Sequence, residues 1–219
     1  MATRAFRSCE AALLGASLMA AAPCSGQQAV QLVPFVGAYV PTRAFTRVSG
    51  TCPGGAQCGS YAVTQDLGGA LGLRVVSRVP GRVGATASFV YAFYQVSWPP
   101  VPNGVDYNIP QSLSAHAWIG SLGLLFPLRS VPSRFAPYIT AGLSWVSRGG
   151  DVYSGRPTPP PSDWGGYAGL GVAMARGAHW RLHIDLTDLV DAPDNASRQH
   201  TFLLSLGLSP TNRSRGTSR

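Results

Sequence analysis

Residues 180–190, WRLHIDLTDLV, constrain the fold of this chain more than any other stretch. Leu182, Ile184 and Leu186 alternate with Arg181, His183, Asp185 and Thr187. A period of two is the period of a β-strand, whose successive side chains point to opposite faces. A helix would mix the two sets on every face. The segment therefore has one apolar and one polar face, and the fold must keep them in different surroundings.

Seven other segments of similar length recur with alternating character. They are 31–40, 66–76, 83–96, 113–126, 136–147, 164–175 and 200–209, which with 180–190 makes eight predicted strands. In the second, Leu67, Leu71, Leu73 and Val75 oppose Gly68, Ala70, Gly72 and Arg74. In the third, Ala85, Ala87, Phe89, Tyr91 and Phe93 oppose Thr86 and Ser88. In the sixth, Ala168, Leu170, Val172 and Met174 oppose Tyr167, Gly169, Gly171 and Ala173. In the eighth, Phe202, Leu204, Leu206 and Leu208 share a face. A soluble barrel or sandwich can alternate in the same way, with its apolar face inward. The other face decides between them. Gly, Ala, Ser and Thr dominate it, with few charges, whereas a solvated exterior would carry many. Small residues with a few paired charges suit the narrow lumen of a barrel whose leucines face outward.

The connections alternate in length. Those at 41–65, 97–112, 148–163 and 191–199 are long or rich in Pro, Gly and Asp; those at 77–82, 127–135 and 176–179 are shorter. Long loops at one end and short turns at the other define an up-and-down transmembrane barrel. The expected fold class is therefore all-β, an eight-stranded antiparallel up-and-down transmembrane β-barrel over residues 27–209. Trp98, Trp118, Trp145, Trp164 and Trp180 lie at or near predicted strand ends, where membrane interfaces favour the indole ring. Only 12% of the chain is charged and its mean hydropathy is +0.10. No stretch after the first segment has the 18 apolar residues of a membrane-spanning helix.

Residues 1–26 read as a secretory signal. Arg4 and Arg7 precede an apolar run from Ala11 to Ala22, followed by small residues. Export places Cys52 and Cys58, in TCPGGAQCGS, in an oxidising compartment, where a loop disulfide is expected. Residues 210–219 form a polar basic tail. The net charge of +8 comes from scattered arginines, so no nucleic-acid partner is expected.

The pattern, the opening LVPFVGAYVP, the segment WRLHIDLTDL and the closing TFLLSLGL resemble the small outer-membrane β-barrel superfamily that includes OmpA-, OmpX- and OmpW-like proteins. The resemblance covers residues 31–209. It implies a location in the bacterial outer membrane, contact with outer-membrane lipid, and insertion by the barrel-assembly machinery, which reads a C-terminal strand. Here that strand runs into Ser209, Pro210 and the tail, where the family ends on an aromatic residue.

No catalytic motif stands out. His116, His179, His183 and His200 lack metal-ligand spacing, so no metal or cofactor is expected. His183, Asp185 and Ser205 would be the elements of a lipid A-modifying enzyme. The simpler reading is a lumen polar network of Arg74, Arg181, His183 and Asp185, with Asp185 paired to Arg74 or Arg181 to offset desolvation. The expected function is a monomeric, non-enzymatic outer-membrane barrel with a structural or surface-interaction role through its loops, including the Cys52–Cys58 loop and GRPTPPPSDW. The alternatives are a soluble, lipocalin-like periplasmic ligand-binding barrel and the lipid A-modifying enzyme.

Overall fold

The computed structural model describes residues 29–42, 44–51, 57–78, 83–97, 112–128, 134–153, 162–177, 179–191 and 199–210, with the backbone alone for 29, 44–51, 57–63 and 78. The signal segment 1–26 and the tail from residue 211 lie outside the described residues.

Among the described residues ten strands follow one another: β1 (Ala29–Pro41), β2 (Ala44–Thr51), β3 (Gln57–Gln65), β4 (Gly68–Arg78), β5 (Gly84–Ser97), β6 (Ser112–Pro127), β7 (Phe135–Gly150), β8 (Ser162–Arg176), β9 (Trp180–Asp191) and β10 (Gln199–Pro210). Eight of them close a barrel. β4 pairs with β1 and β5, and each later strand pairs with its successor. β10 then returns to β1, so every barrel pairing is antiparallel and no edge is left open. The short connections between β4 and β5, β6 and β7, and β8 and β9 lie at one end. At the last of these Gly177 has φ +70°, a conformation that glycine adopts without strain.

One connection differs from the sequence expectation. The segment 41–65 is not an irregular loop: β2 and β3 form a hairpin within it. β3 runs on into β4 across a bulge at Asp66–Leu67, and Thr64 and Gln65 pair with Ser97 and Val96 of β5. Its strand sequences, AFTRVSGT and QCGSYAVTQ, lack the alternation that marks the eight wall strands.

The registers fix the barrel's shape. A path straight across the strands runs Val30, Ser77, Ala85, Leu124, Ala141, Ala168, Asp188, Phe202 and back to β1 at Val40. It returns ten residues above its start, from 30 to 40. Eight strands with that stagger tilt by about 40° and enclose a radius of about 8 Å. Each step around the wall therefore climbs ten-eighths of a residue, and each residue rises about 2.5 Å along the axis.

Candidate functional site: a plugged lumen in an apolar wall

The apolar and polar faces separate as the barrel closes. Leu71, Leu122, Leu143, Leu170, Leu186 and Leu206 are among the large apolar side chains exposed on the outer wall. Arg74, Thr86, Thr140, His183, Asp185 and Ser205 are buried inside. Two apolar clusters share the lumen with them. One lies toward the short-turn end around Val33, Val76, Leu125 and Tyr138. The other lies toward the long-loop end around Tyr39, Val90, Tyr94, Ile119 and Leu203. The lumen is thus filled by larger residues than the small ones its sequence pattern emphasised.

Between these clusters sits the first polar plug. Arg74 on β4 reaches across the barrel, and its Nη1 lies 2.7 Å from Asp185 Oδ2 on β9. The Tyr138 hydroxyl donates a short hydrogen bond to Asp185 Oδ1 and accepts a long one, 3.5 Å, from Arg74 Nη1. The guanidinium also lies 5.4 Å from the centre of the Phe35 ring. Gly171 makes the arrangement possible. A Cβ there would come 2.3 Å from Asp185 Oδ1 and 2.5 Å from the Tyr138 ring. Arg181 and His183 do not join this ion pair. His183 Nε2 and Ser209 Oγ are hydrogen-bonded at 2.9 Å, nearer the short turns. Among the described residues no ion pair joins Arg181 to Asp185, and the Arg181 Nε is buried without a partner.

A second plug closes the long-loop end. Arg148 Nη1 lies 2.5 Å from Asp163 Oδ2, and its Nη2 donates to Asp191 Oδ2. Tyr39 and Tyr94 stack beside it with ring centres 5.0 Å apart. Gln199 donates to Gln65 at 3.2 Å above them. Val152 and Tyr153, in a short 3₁₀ turn after β7, fold over this end. Burial pushes the Tyr153 phenol up from its ordinary range. Sequence reasoning missed Arg148, Asp163 and Asp191 because it placed all three in loops. The strands run one to three residues further, and the inward parity of each strand continues to these positions.

Between the plugs the described residues leave a cavity of about 20 Å³, lined by Arg74, Ser88, Ser121, Thr140, Tyr167 and Thr187 among others. That is room for one water molecule, not a path for solutes. Of the predicted disulfide, Cys52 and the side chain of Cys58 lie outside the described residues.

The outer wall carries two aromatic levels. Phe135 and Trp180 mark the short-turn level. Phe93, Trp118, Trp145 and Trp164 converge on the other level, although Trp118 and Trp145 lie well inside β6 and β7. Strand tilt brings them to a common height, because each strand meets that level at a different residue. Phe89 stacks on Trp118 there at 5.2 Å, and the Tyr91 ring lies tilted against it at 4.5 Å. From Trp180 to Trp118 the height is about 26 Å, the thickness of a transmembrane barrel's apolar band of about 25 Å. One polar pair interrupts the wall near its upper edge. Asp188 Oδ2 lies 3.0 Å from His200 Nδ1, and both side chains face outward.

A closed eight-stranded up-and-down barrel with an outward apolar band and inward ion pairs is the fold of small outer-membrane β-barrels. Among solved structures, the chain is similar to the outer membrane protein OprG from Pseudomonas aeruginosa, with a TM-score of 0.57 and 15% identity over 84% of this chain and 97% of that one. It is likewise similar to outer membrane protein AlkL, studied in DMPC bilayers, with a TM-score of 0.53 and 15% identity over 87% and 93%. Neisserial surface protein A gives a TM-score of 0.51 and 14% identity over 84% and 99%. No protein-family profile matches the chain, and no curated protein matches it significantly.

Proposed function

We propose that this protein is exported by residues 1–26 and resides in the bacterial outer membrane as a plugged barrel. It presents its long loops outward and acts through them in structural or surface interactions, without catalysis. The observation that carries the reading is the outer wall: large apolar side chains cover a band about 26 Å high between two aromatic levels. In water such a surface would be far larger than the few hundred Å² of apolar patch that soluble monomers expose. The same reading includes insertion by the barrel-assembly machinery and a monomeric state, with which a wall that has no unpaired strand edge is consistent.

The soluble ligand-binding alternative needs an apolar interior with space, whereas this interior is filled and its apolar face is outside. The enzyme alternative needs His183, Asp185 and Ser205 in one relay. His183 is instead bonded to Ser209, and Asp185 to Arg74 and Tyr138. Cell fractionation combined with gel mobility before and after boiling tests the proposal. The protein is expected in outer-membrane fractions with heat-modifiable mobility. Recovery wholly as soluble periplasmic protein would overturn it.

A further inference from the structure

The charges are sorted along the barrel axis. Apart from Asp185 in the lumen, the Asp side chains among the described residues, Asp66, Asp151, Asp163, Asp188 and Asp191, lie in the half of the barrel toward the long loops. Among the described residues the short-turn end has none. In sequence, the segments that link its strands, with their flanking strand ends, contain Arg78, Arg82, Arg129, Arg134 and Arg176.

Two of these arginines have a defined setting. Arg176 ends β8 on the outer wall, two residues beyond Met174, and pairs across the ladder with Trp180. The Arg134 carbonyl accepts a hydrogen bond from Ala175 N at 2.9 Å, which brings Arg134 beside it at the base of β7. Both side chains are exposed, and neither forms an ion pair among the described residues. Phe135 and Trp180, which mark the lower edge of the apolar band, lie immediately above them. This is the depth at which lipid headgroups meet a barrel wall, and aromatic rings hold that depth. A guanidinium there binds phosphate oxygens bidentately while its stem stays over apolar surface.

We propose that the short-turn rim around Arg134 and Arg176 is a binding site for the headgroups of anionic glycerophospholipids in the adjoining leaflet. This rests on the outer-membrane reading above. The rim selects anionic over zwitterionic lipid because, among the described residues, no carboxylate on its own side neutralises the arginines. A soluble acidic partner fits less well, since the two described arginines sit at the apolar boundary and not on an end surface clear of it.

The test uses the full barrel, folded in phosphatidylcholine vesicles that contain spin-labelled phosphatidylglycerol or spin-labelled phosphatidylcholine. Electron paramagnetic resonance measures the lipid fraction immobilised at the wall. The wild type is expected to prefer phosphatidylglycerol by at least about fivefold, the preference given by one arginine near a bilayer surface. R134Q/R176Q should fall to near parity, R134K/R176K should keep most of the preference, and 1 M salt should abolish it. Heat-modifiable mobility checks that each variant is folded. A wild type that inserts but shows no preference, or a preference that R134Q/R176Q retains, overturns this proposal alone. A wild type that does not insert overturns the membrane reading and this proposal with it.

Discussion

Replacing Arg74 with methionine tests whether the lumen is a dry plug or a wet passage. Arg74 and Asp185 are both buried, with side-chain exposures of 9% and 6%. Methionine fills much of the arginine's volume but leaves the carboxylate with the Tyr138 hydroxyl as its partner. Removing one member of a buried pair costs about 3–5 kcal/mol, because the remaining charge keeps its desolvation penalty. Loss of the contact with Phe35 adds about 0.5–2 kcal/mol. Replacing both charges, as in R74M/D185L, removes the penalty and should return most of the stability. Urea unfolding of the barrel in vesicles, followed by tryptophan emission and gel mobility, reads both variants against wild type. A loss below about 1 kcal/mol for R74M would refute the reasoning: it would mean that water reaches Asp185 and the lumen is open.

Gly171→Ala should cost roughly 1–3 kcal/mol in the same assay, because the added methyl group meets Asp185 and the Tyr138 ring. Arg148→Met leaves Asp163 and Asp191 facing each other without their shared cation. It should cost about 3–5 kcal/mol in the same urea assay, because two buried carboxylates lose their cation; a loss below about 1 kcal/mol would mean that water reaches them and this plug does not seal the mouth. On the outer wall, Leu170→Arg lies near mid-height and should destabilise the barrel by about 2–4 kcal/mol in urea. Ser162→Arg, at the long-loop end of the same strand, should cost about 0–1 kcal/mol, and equal costs would argue against a membrane around this wall.

The parity of each strand was legible from the chain alone. Side chains alternate strictly, so Leu182, Ile184 and Leu186 could only share a face opposite His183 and Asp185, whatever the strand paired with. The order of long and short connections likewise set the strand count and the up-and-down path. The β2–β3 hairpin was not legible, because its strands pair with each other beyond the eight wall strands and their sequences lack the wall's alternation. Arg148, Asp163 and Asp191 were hidden for a related reason: at strand ends the pattern fades into loop composition, while the backbone ladder continues.

Register belongs to the tertiary structure. A stagger of ten residues over eight strands is a property of closure, which no single segment records. It decides that Asp185 on β9 meets Arg74 on β4, whereas Arg181 lies about 13 Å from Asp185 along the same strand. It also decides that Trp118 and Trp145, well inside their strands, lie level with Trp164 near the end of its own. Alternation is local and is written in each strand, so the chain itself settled which face is apolar. Height and partnership across the barrel depend on tilt, and tilt exists only once the sheet has closed.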